Sequence, residues 1–361
     1  MSLRDCDVLV VGLGPAGASA AAVAARAGAR VLCIDRKCKV GVPVQCAEFI
    51  PLPLSPLAPA QAREQAIAGM ETQLPSGARA SRGFSGLMIR RDRFDQALAA
   101  AAQAAGALLW TDATLQALDA SGGVARVRTA GGLREVAFRV VVGADGPHST
   151  VAACLGLPRL ATVGTRQYTV PLLKPSRDTD IWLSPDTPGG YAWLFPKGEV
   201  ANLGLGLDPA HERDMKAPLD ALHAALVRAG RVGPEILMRT GGPIPVGGLR
   251  PHLVEGPAVF VGDAAGFTHP ITGAGIAPAV VSGERAGGAI AAYLAGNSAA
   301  FDTYDEEMRE EFGPSLARGL AARRRLDAVW NTPAGMDDAV HRGGWIAFDE
   351  YYAATADGSR A

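Results

Sequence analysis

Four short apolar runs in the sequence predict the buried strands of a parallel sheet. The first two, Val8–Val11 and Val31–Ile34, flank an alanine-rich stretch at residues 18–27 that predicts a helix. The other two, at residues 140–142 and 258–261, each lead into a turn that contains glycine and an acidic residue. Strands that are apolar on both faces belong to sheets covered on both sides, so the pattern predicts an α/β protein.

The middle of the chain has a different pattern. Between residues 165 and 206, apolar and polar residues alternate over short stretches, which is typical of an antiparallel sheet. Residues 208–229 have apolar positions at helical spacing, namely Leu219, Leu222, Ala225 and Leu226. Residues 51–59 carry a proline at every second or third position, and because each proline removes a backbone donor we expect a loop there.

Composition excludes several classes of protein. The chain has 361 residues, 48% of them hydrophobic, and its net charge of -1 does not favour nucleic acid as a partner. No signal-peptide core is seen, and charges and glycines interrupt the apolar stretch 274–294, so we expect no transmembrane segment and leave peripheral membrane contact open. Five cysteines without metal-ligand spacing favour a reduced, cytoplasmic protein with no metal site.

The turn after the first strand has the glycine spacing of a dinucleotide-binding site. Gly12 permits a tight turn, Gly14 lets the backbone approach a pyrophosphate, and Gly17 lets the helix pack closely on the strand. The N-terminus of that helix offers N–H groups to the phosphates, and Asp35 is placed to accept hydrogen bonds from a ribose. We therefore expect cofactor contacts from Gly12, Gly14, Pro15, Ala16, Gly17, Asp35 and Arg36.

Two later segments make the cofactor more specific. With the N-terminal glycine turn, the segments Gly143-Ala144-Asp145-Gly146 and Gly262-Asp263-Ala264-Ala265-Gly266 resemble the motifs of glutathione-reductase-type FAD proteins of the para-hydroxybenzoate hydroxylase class. The resemblance implies that Asp145 lies between the flavin and nicotinamide sites and that Asp263 binds the ribityl chain. It places Arg91, from an R-x-x-F-D stretch, near FAD. It also implies that Gly273, Ala274, Gly275 and Ile276 form the start of a helix whose N-terminus faces the flavin, and that these four residues contact the cofactor.

Two more segments resemble the geranylgeranyl reductases. The loop around Cys46 and Ala47 is similar to their cofactor-contacting loop, and residues 191–198, YAWLFPKG, resemble their YxWxFPxG substrate motif. In a strand, Tyr191, Trp193 and Phe195 project from one face and form an aromatic wall, which the resemblance makes substrate-binding. The chain departs from the family where Cys46-Ala47-Glu48 replaces the more common Cys-Gly-Gly or Cys-Gly-Glu, and in a shorter C-terminal extension.

These motifs predict a glutathione-reductase-type, Rossmann-like FAD-binding domain with an inserted antiparallel-sheet substrate domain and a C-terminal helical tail. We expect the FAD-binding domain at residues 1–160 and 240–300, the substrate domain at 161–239, and the helical segment at 301–361.

The favoured function is an FAD-dependent oxidoreductase that takes electrons from NAD(P)H or a reductant protein and passes hydride to a hydrophobic, isoprenoid-like substrate. The alternative is a monooxygenase that hydroxylates an aromatic substrate, such as an indole or phenol carried on a peptide. A chain that holds FAD without catalysis is a third hypothesis. Because the cofactor supplies the redox chemistry, no catalytic residue is assigned. Two histidines are near the predicted flavin, His148 and His269. Each either stabilises a turn through hydrogen bonds or assists proton transfer.

Overall fold

Parallel pairing of the apolar runs organises the chain in the computed structural model, which describes residues 5–211 and 214–353. Its strands are β1 (Val8–Val11), β2 (Val31–Ile34), β3 (Phe49–Pro51), β4 (Arg63–Ile67), β5 (Gly69–Gln73), β6 (Arg79–Arg82), β7 (Gly86–Ile89), β8 (Leu108–Trp110), β9 (Thr114–Asp119), β10 (Val124–Thr129), β11 (Gly132–Ala137), β12 (Val140–Gly143), β13 (Thr162–Pro171), β14 (Asp178–Trp182), β15 (Ala192–Lys197), β16 (Val200–Leu207), β17 (Met238–Pro245), β18 (Val254–Glu255) and β19 (Ala258–Phe260).

Its helices are α1 (Pro15–Arg26), α2 (Arg91–Ala104), α3 (Thr150–Cys154), α4 (Lys216–Arg228), α5 (Gly262–Ala265), α6 (Ile276–Leu294), α7 (Ala300–Val329), α8 (Asp338–Gly344) and α9 (Asp349–Ala353). Short 3-10 turns occur at Leu52–Leu57, Ala60–Ala62, Pro209–His211 and Pro333–Met336. The loop expected at residues 51–59 is therefore wrong in part, because Pro51 ends β3 and Leu52–Leu57 form a 3-10 helix. The φ that proline fixes is compatible with a 3-10 turn, although the missing N–H groups prevent a regular α-helix.

The four apolar runs meet in one six-stranded sheet. Its order is β18-β19-β12-β1-β2-β8, and every pair except β18 with β19 is parallel. The residues of β1, β2 and β12 are all buried. α1 packs on the sheet, and α2 and α6 pack on α1. Residues of the small sheet formed by β9, β10 and β11 belong to the same apolar cluster, among them Leu115, Val127 and Val136. This arrangement confirms the predicted α/β fold with a Rossmann-like dinucleotide-binding unit.

A second sheet of seven strands has the order β17-β13-β16-β15-β14-β5-β6. Its pairs are antiparallel except that β14 runs parallel to β5. The sheet extends beyond the expected insert of residues 161–239, because it takes two strands from residues 69–82 and ends at residue 245. Physically, β14 would expose an unpaired row of N–H and C=O groups, and β5 pairs with that row.

The two faces of the seven-stranded sheet have different partners. One face packs on α4, which begins at Lys216 rather than near residue 208, and buries Leu219 and Leu226 against the sheet. His223 takes the inward position expected for Ala225, which is exposed. The other face carries the aromatic wall and lies against the loop at residues 44–48.

The C-terminal helices return to this second face. Trp345 and Phe348 are buried in the same apolar cluster as Trp193 and Phe195, while residues 354–361 of the expected tail lie outside the described residues. In the described part of the chain, no helix has both the length and the apolar character needed to cross a membrane.

Candidate active site

The glycine turn leaves open space where a cofactor phosphate would fit. A side chain at Gly12, where φ is 100°, would overlap the carbonyl oxygen of Ala144, and one at Gly17 would overlap that of Gly12. At Gly14, by contrast, the described residues other than its two chain neighbours place no atom within 4 Å of the position that a Cβ would take. Gly14 caps α1, whose first turn directs N–H groups outward. The turn therefore fits a pyrophosphate.

Asp35 links the end of β2 to the same turn. Its Oδ2 accepts a hydrogen bond from the N–H of Leu13, and its Oδ1 accepts one from the N–H of Lys37, both at 2.8 Å. Each carboxylate oxygen has a second lone pair available for a ribose hydroxyl. Arg36 next to it is exposed. The ribose contact remains a prediction.

Asp145 lies beside the glycine turn with one oxygen unused. Its Oδ2 accepts hydrogen bonds from the N–H groups of Thr150 at 2.6 Å and Val151 at 3.2 Å, at the start of α3. Its Oδ1 is buried and, within the described residues, has no partner. Burial raises the pKa of this carboxyl above its usual range. A buried acceptor without a donor fits a ligand that donates a hydrogen bond.

Asp263 and the start of α6 form the next part of the site. The Asp263 carboxylate accepts a hydrogen bond from Thr268 at 2.6 Å, and burial raises its pKa. A Cβ on Gly275, the residue that caps α6, would lie 3.1 Å from Asp263 Oδ1, so the helix N-terminus and the carboxylate are neighbours. Gly273 and Ala274 lead the chain into this cap, and α6 begins at Ile276.

Arg91 starts α2 and is held in a bidentate ion pair with Asp95, at 2.9 and 3.1 Å. The Asp of the R-x-x-F-D stretch therefore orients the Arg. Burial raises the pKa of the Cys46 thiol, and the nearby Arg91 guanidinium opposes that rise without cancelling it. The same guanidinium favours the charged form of Asp263. The structure thus brings Cys46, Arg91 and Asp263 together, and Cys46 stays a thiol at neutral pH.

The aromatic wall has the predicted geometry. Ring centroids of Tyr191 and Trp193 are 5.7 Å apart, and those of Trp193 and Phe195 are 6.5 Å apart. The Tyr191 hydroxyl donates to the carbonyl of Thr272 at 2.6 Å, which links the wall to the turn before α6. Trp345 covers Tyr191 with the ring centroids at 4.8 Å. The C-terminal segment is therefore part of this apolar site.

Four polar residues at the site were not assigned from the sequence. They are buried or half-buried and hydrogen-bond the loop at residues 44–48 or each other: Glu48, Gln167, Lys197 and Asn202. The available signal is a polar residue inside an otherwise apolar strand, as in Ala201-Asn202-Leu203 of β16. Such a residue, when buried, needs partners and often marks a site.

The two histidines differ in their surroundings. His269 Nδ1 accepts hydrogen bonds from the N–H groups of Ile271 and Thr272 at 3.3 Å, and its Nε2 lies 3.2 Å from the Tyr351 hydroxyl. Burial and the nearby Arg318 lower its pKa to about 4. His269 is therefore neutral at pH 7 and supports the turn, while His148 is exposed.

Comparison with known proteins agrees with this geometry. Residues 165–241 match the profile of the geranylgeranyl reductase catalytic domain, and residues 5–43 match that of an FAD binding domain. A digeranylgeranylglycerophospholipid reductase of Thermoplasma volcanium is 32% identical over 354 residues, which cover 90% of this chain and 88% of the relative. The chain belongs to the geranylgeranyl reductase family.

A second relative is the digeranylgeranylglycerophospholipid reductase of Methanothrix thermoacetophila. It is 32% identical to this chain, and the alignment covers 87% of this chain and 86% of the relative. A geranylgeranyl bacteriochlorophyll reductase-like structure from Thermoplasma acidophilum superposes with a TM-score of 0.86 at 26% identity, covering 98% of this chain and 96% of that one. The predicted family and fold are thus confirmed, and the protein is an FAD-dependent oxidoreductase.

An aklavinone-11 hydroxylase has the same fold, with a TM-score of 0.73 and 21% identity over 91% of this chain and 70% of the hydroxylase. At that identity the similarity concerns the fold of this reductase and not its reaction.

Proposed function

We propose that this reductase saturates carbon–carbon double bonds in the isoprenoid chain of a lipid. The observation that carries the proposal is the aromatic wall of Tyr191, Trp193 and Phe195, which lies in a buried apolar cluster together with Ala47 of the cofactor loop. The relatives named as digeranylgeranylglycerophospholipid reductases support this substrate class. We further propose NAD(P)H, or a reductant protein, as the electron donor.

Different residues bind different parts of FAD. In this proposal the glycine turn and α1 bind the pyrophosphate, Asp35 binds the ribose, and Asp263 binds the ribityl chain. The N-terminus of α6 favours negative charge beside it, because helix N-termini carry a partial positive charge. Bound FAD supplies the hydride chemistry, which no side chain of the protein can supply.

The wall binds the substrate chain by removing it from water. Each buried methylene contributes about 0.8 kcal/mol, so a long isoprenoid gains most of its affinity from this surface. The Tyr191 hydroxyl already donates to Thr272, and the Trp193 indole N–H donates to Gln167 at 3.1 Å. The rings therefore leave none of these polar atoms unpaired, and the cluster that they form is apolar, which suits an alkene better than a polar group.

The test is turnover under anaerobic conditions. The purified holoenzyme is reduced with dithionite, NADH, NADPH or reduced ferredoxin in separate reactions and mixed with a digeranylgeranyl glycerolipid. We expect each saturated bond to add two hydrogens, a mass gain of about 2 Da, since one hydride and one proton are transferred. Oxygen-dependent hydroxylation of indole or phenol substrates, without saturation of the lipid, would support the monooxygenase alternative and contradict the proposal.

A matched pair of variants tests the wall. Trp193→Leu removes a wall residue, and Trp182→Leu removes a tryptophan that packs on the opposite face of the same sheet. We expect Trp193→Leu to raise KM for the lipid about tenfold, equivalent to about 1.4 kcal/mol of lost binding, and Trp182→Leu to leave KM within twofold. Equal effects would show that the face of the sheet is irrelevant to binding.

A further inference from the structure

The loop at residues 44–48 crosses the seven-stranded sheet and is held by one strand after another. Side chains of β17, β13 and β16 donate to its carbonyl groups: Thr240 to Val44 at 2.8 Å, Gln167 to Cys46 at 3.1 Å, and Asn202 to Ala47 at 3.2 Å. These three strands are adjacent in the sheet and follow the order of the loop residues. The side chain of Gln45 also donates to the Gly241 carbonyl, at 2.6 Å.

Glu48 continues the crossing to the fourth strand. Its side chain is 3% exposed, and its carboxylate accepts hydrogen bonds from Lys197 of β15, from Asn202 at 3.0 Å and from the N–H of Arg91 at 2.9 Å. Glu48 has a φ of 70°, a conformation that is unfavourable for a residue with a side chain. The three donors compensate both the buried charge and this backbone strain.

The crossing depends on side chains that reach from the sheet. The loop bends at Cys46, and its carbonyl groups at residues 44, 46 and 47 are reached by the side chains of Thr240, Gln167 and Asn202. These are three hydrogen bonds between uncharged groups, each of which contributes about 1 kcal/mol. Glu48 adds the charged contact, and hydrogen bonds to a charged group are stronger, so we expect the loop to loosen when that charge is removed.

The same loop is linked to the aromatic wall through one side chain. Gln167 donates to the Cys46 carbonyl and accepts from the Trp193 indole N–H. Gly204 lies between them on β16, and a Cβ there would overlap the indole ring, so the indole reaches Gln167 only because residue 204 is glycine. The position of Trp193 therefore depends on the position of the loop.

We propose that Glu48 is a positioning residue that locks the loop to the substrate sheet and so fixes Cys46, Ala47 and, through Gln167, Trp193. The proposal rests on the proposed function only for the roles of Cys46 and Ala47 beside the flavin and of Trp193 beside the substrate. The locking itself is a property of the protein without cofactor. Glu48→Gln keeps the side-chain shape, leaves Lys197 without its charge partner, and is expected to release the loop.

The experiment compares Glu48→Gln with Asp180→Asn. Asp180 is buried in β14 of the same sheet and forms a bidentate ion pair with Arg231, at 2.6 and 3.2 Å. Both variants therefore remove one buried carboxylate charge, but only Glu48 belongs to the loop, whereas Asp180 lies in β14. The first readout is the rate at which iodoacetamide alkylates Cys46 in the cofactor-free protein, followed by peptide mass spectrometry, which separates Cys46 from the exposed Cys38 and Cys154.

We expect alkylation of Cys46 to be about tenfold faster in Glu48→Gln, because local opening exposes the thiol, and unchanged within about twofold in Asp180→Asn. Besides burial, the Glu48 charge also helps to raise the pKa of Cys46, so its loss alone would increase the thiolate fraction. Backbone amide hydrogen exchange of residues 44–48, which does not depend on the thiol, is therefore measured beside alkylation and should be faster in Glu48→Gln alone. In the FAD-loaded proteins, we expect a shifted visible spectrum and a lower kcat with KM nearly unchanged for Glu48→Gln alone. If Glu48→Gln does not fold, Glu48→Gln combined with Lys197→Met removes both charges and is measured in its place.

Unchanged alkylation and an unchanged FAD spectrum in the Glu48 variant would overturn the proposal, as would equal changes in both variants. The alkylation assay needs neither cofactor nor substrate. A wild-type protein that saturates no isoprenoid would therefore refute the proposed function alone, and the alkylation rates would still decide whether Glu48 locks the loop.

Discussion

The candidate active site has two halves that are built differently. In the cofactor half, at the N-terminal glycine turn, the backbone forms the site, whereas in the substrate half, on the seven-stranded sheet, side chains form it. Gly12 and Gly17 have no room for a Cβ, and Gly14 leaves its space open to a ligand. On the sheet, by contrast, the face towards the loop at residues 44–48 is formed by side chains, namely those of Gln167, Asn202 and the three aromatic residues. The cofactor half is therefore sensitive to added side-chain atoms, which would overlap the backbone at Gly12 and Gly17 and would occupy the space of a ligand at Gly14. The substrate half is sensitive to the removal of side-chain atoms.

The largest effect is expected where a side chain is removed from the substrate half. Trp345→Ala deletes the indole that covers Tyr191 at 4.8 Å, and Trp345 is 3% exposed. We expect the free energy of unfolding to fall by about 4 kcal/mol, as for other buried tryptophans, measured by urea denaturation. Met336→Ala, at a side chain that is 54% exposed, should change it by no more than about 0.5 kcal/mol. Similar values for both would contradict a structural role for Trp345.

The complementary change adds atoms to the cofactor half. Gly14→Val should weaken FAD binding about 100-fold, or about 3 kcal/mol, because the new methyl groups occupy the open space beside α1. The apoprotein should keep its stability, since within the described part of the chain no atom beyond those of Leu13, Gly14 and Pro15 lies within 4 Å of the Cβ position. Gly288→Val, at an equally open and exposed position of α6, is the control for FAD titration followed by fluorescence. Normal FAD affinity in Gly14→Val would refute the pyrophosphate assignment.

His269 connects the turn before α6 with the C-terminal helix α9. Its ring accepts hydrogen bonds from backbone N–H groups of that turn and also contacts the Tyr351 hydroxyl of α9. Its pKa is lowered to about 4 in the folded protein, from about 6.5 when unfolded. The unfolded chain therefore binds the proton first, and stability is lost as pH falls from 6.5 towards 4. Between pH 6.5 and 5 the loss amounts to about 2 kcal/mol.

The measurement is the unfolding free energy of the apoprotein at several pH values. His269→Asn, whose amide oxygen can accept the same backbone hydrogen bonds, should lose about 2 kcal/mol less than the wild type over that interval. Parallel pH profiles for the two proteins would show that His269 is not the group responsible.

The smallest expected effect concerns Asp263. Asp263→Asn should weaken FAD binding about tenfold by removing a charged acceptor. The apoprotein should become more stable at neutral pH, because burial raises the pKa of Asp263 and the charged form therefore destabilises the fold. Isothermal titration and thermal unfolding measure the two effects. Lower stability of the apoprotein would contradict the argument from burial.

The sequence predicts the backbone-formed half well because each requirement there is local. The glycine spacing from Gly12 to Gly17 follows from the turn itself. In the side-chain-formed half, only the period-two spacing of Tyr191, Trp193 and Phe195 is local in the same way, because it follows from a strand. Several predicted cofactor contacts are neighbours in the structure, as Gly12 is of Asp145 and Gly275 is of Asp263, and their role towards FAD remains a prediction.

The side-chain contacts of the sheet are not local and could not be predicted. Gln167 meets Trp193, 26 positions away, only because β13, β16 and β15 pair in one register. The pairing of β5 with β14 depends on which edge remains open after the other strands have assembled. Glu48 was visible in the loop motif, but its partners Lys197 and Asn202 come from two different strands.

The order of strands also has a consequence for synthesis on the ribosome. β1 lies between β2 and β12, yet β12 begins only at Val140 and β19 only at Ala258. A growing chain that has emerged up to residue 139 therefore carries a fully apolar strand with one edge unpaired, and such edges are prone to pair with other chains. Steps that shield this edge until β12 emerges will set the yield of folded protein.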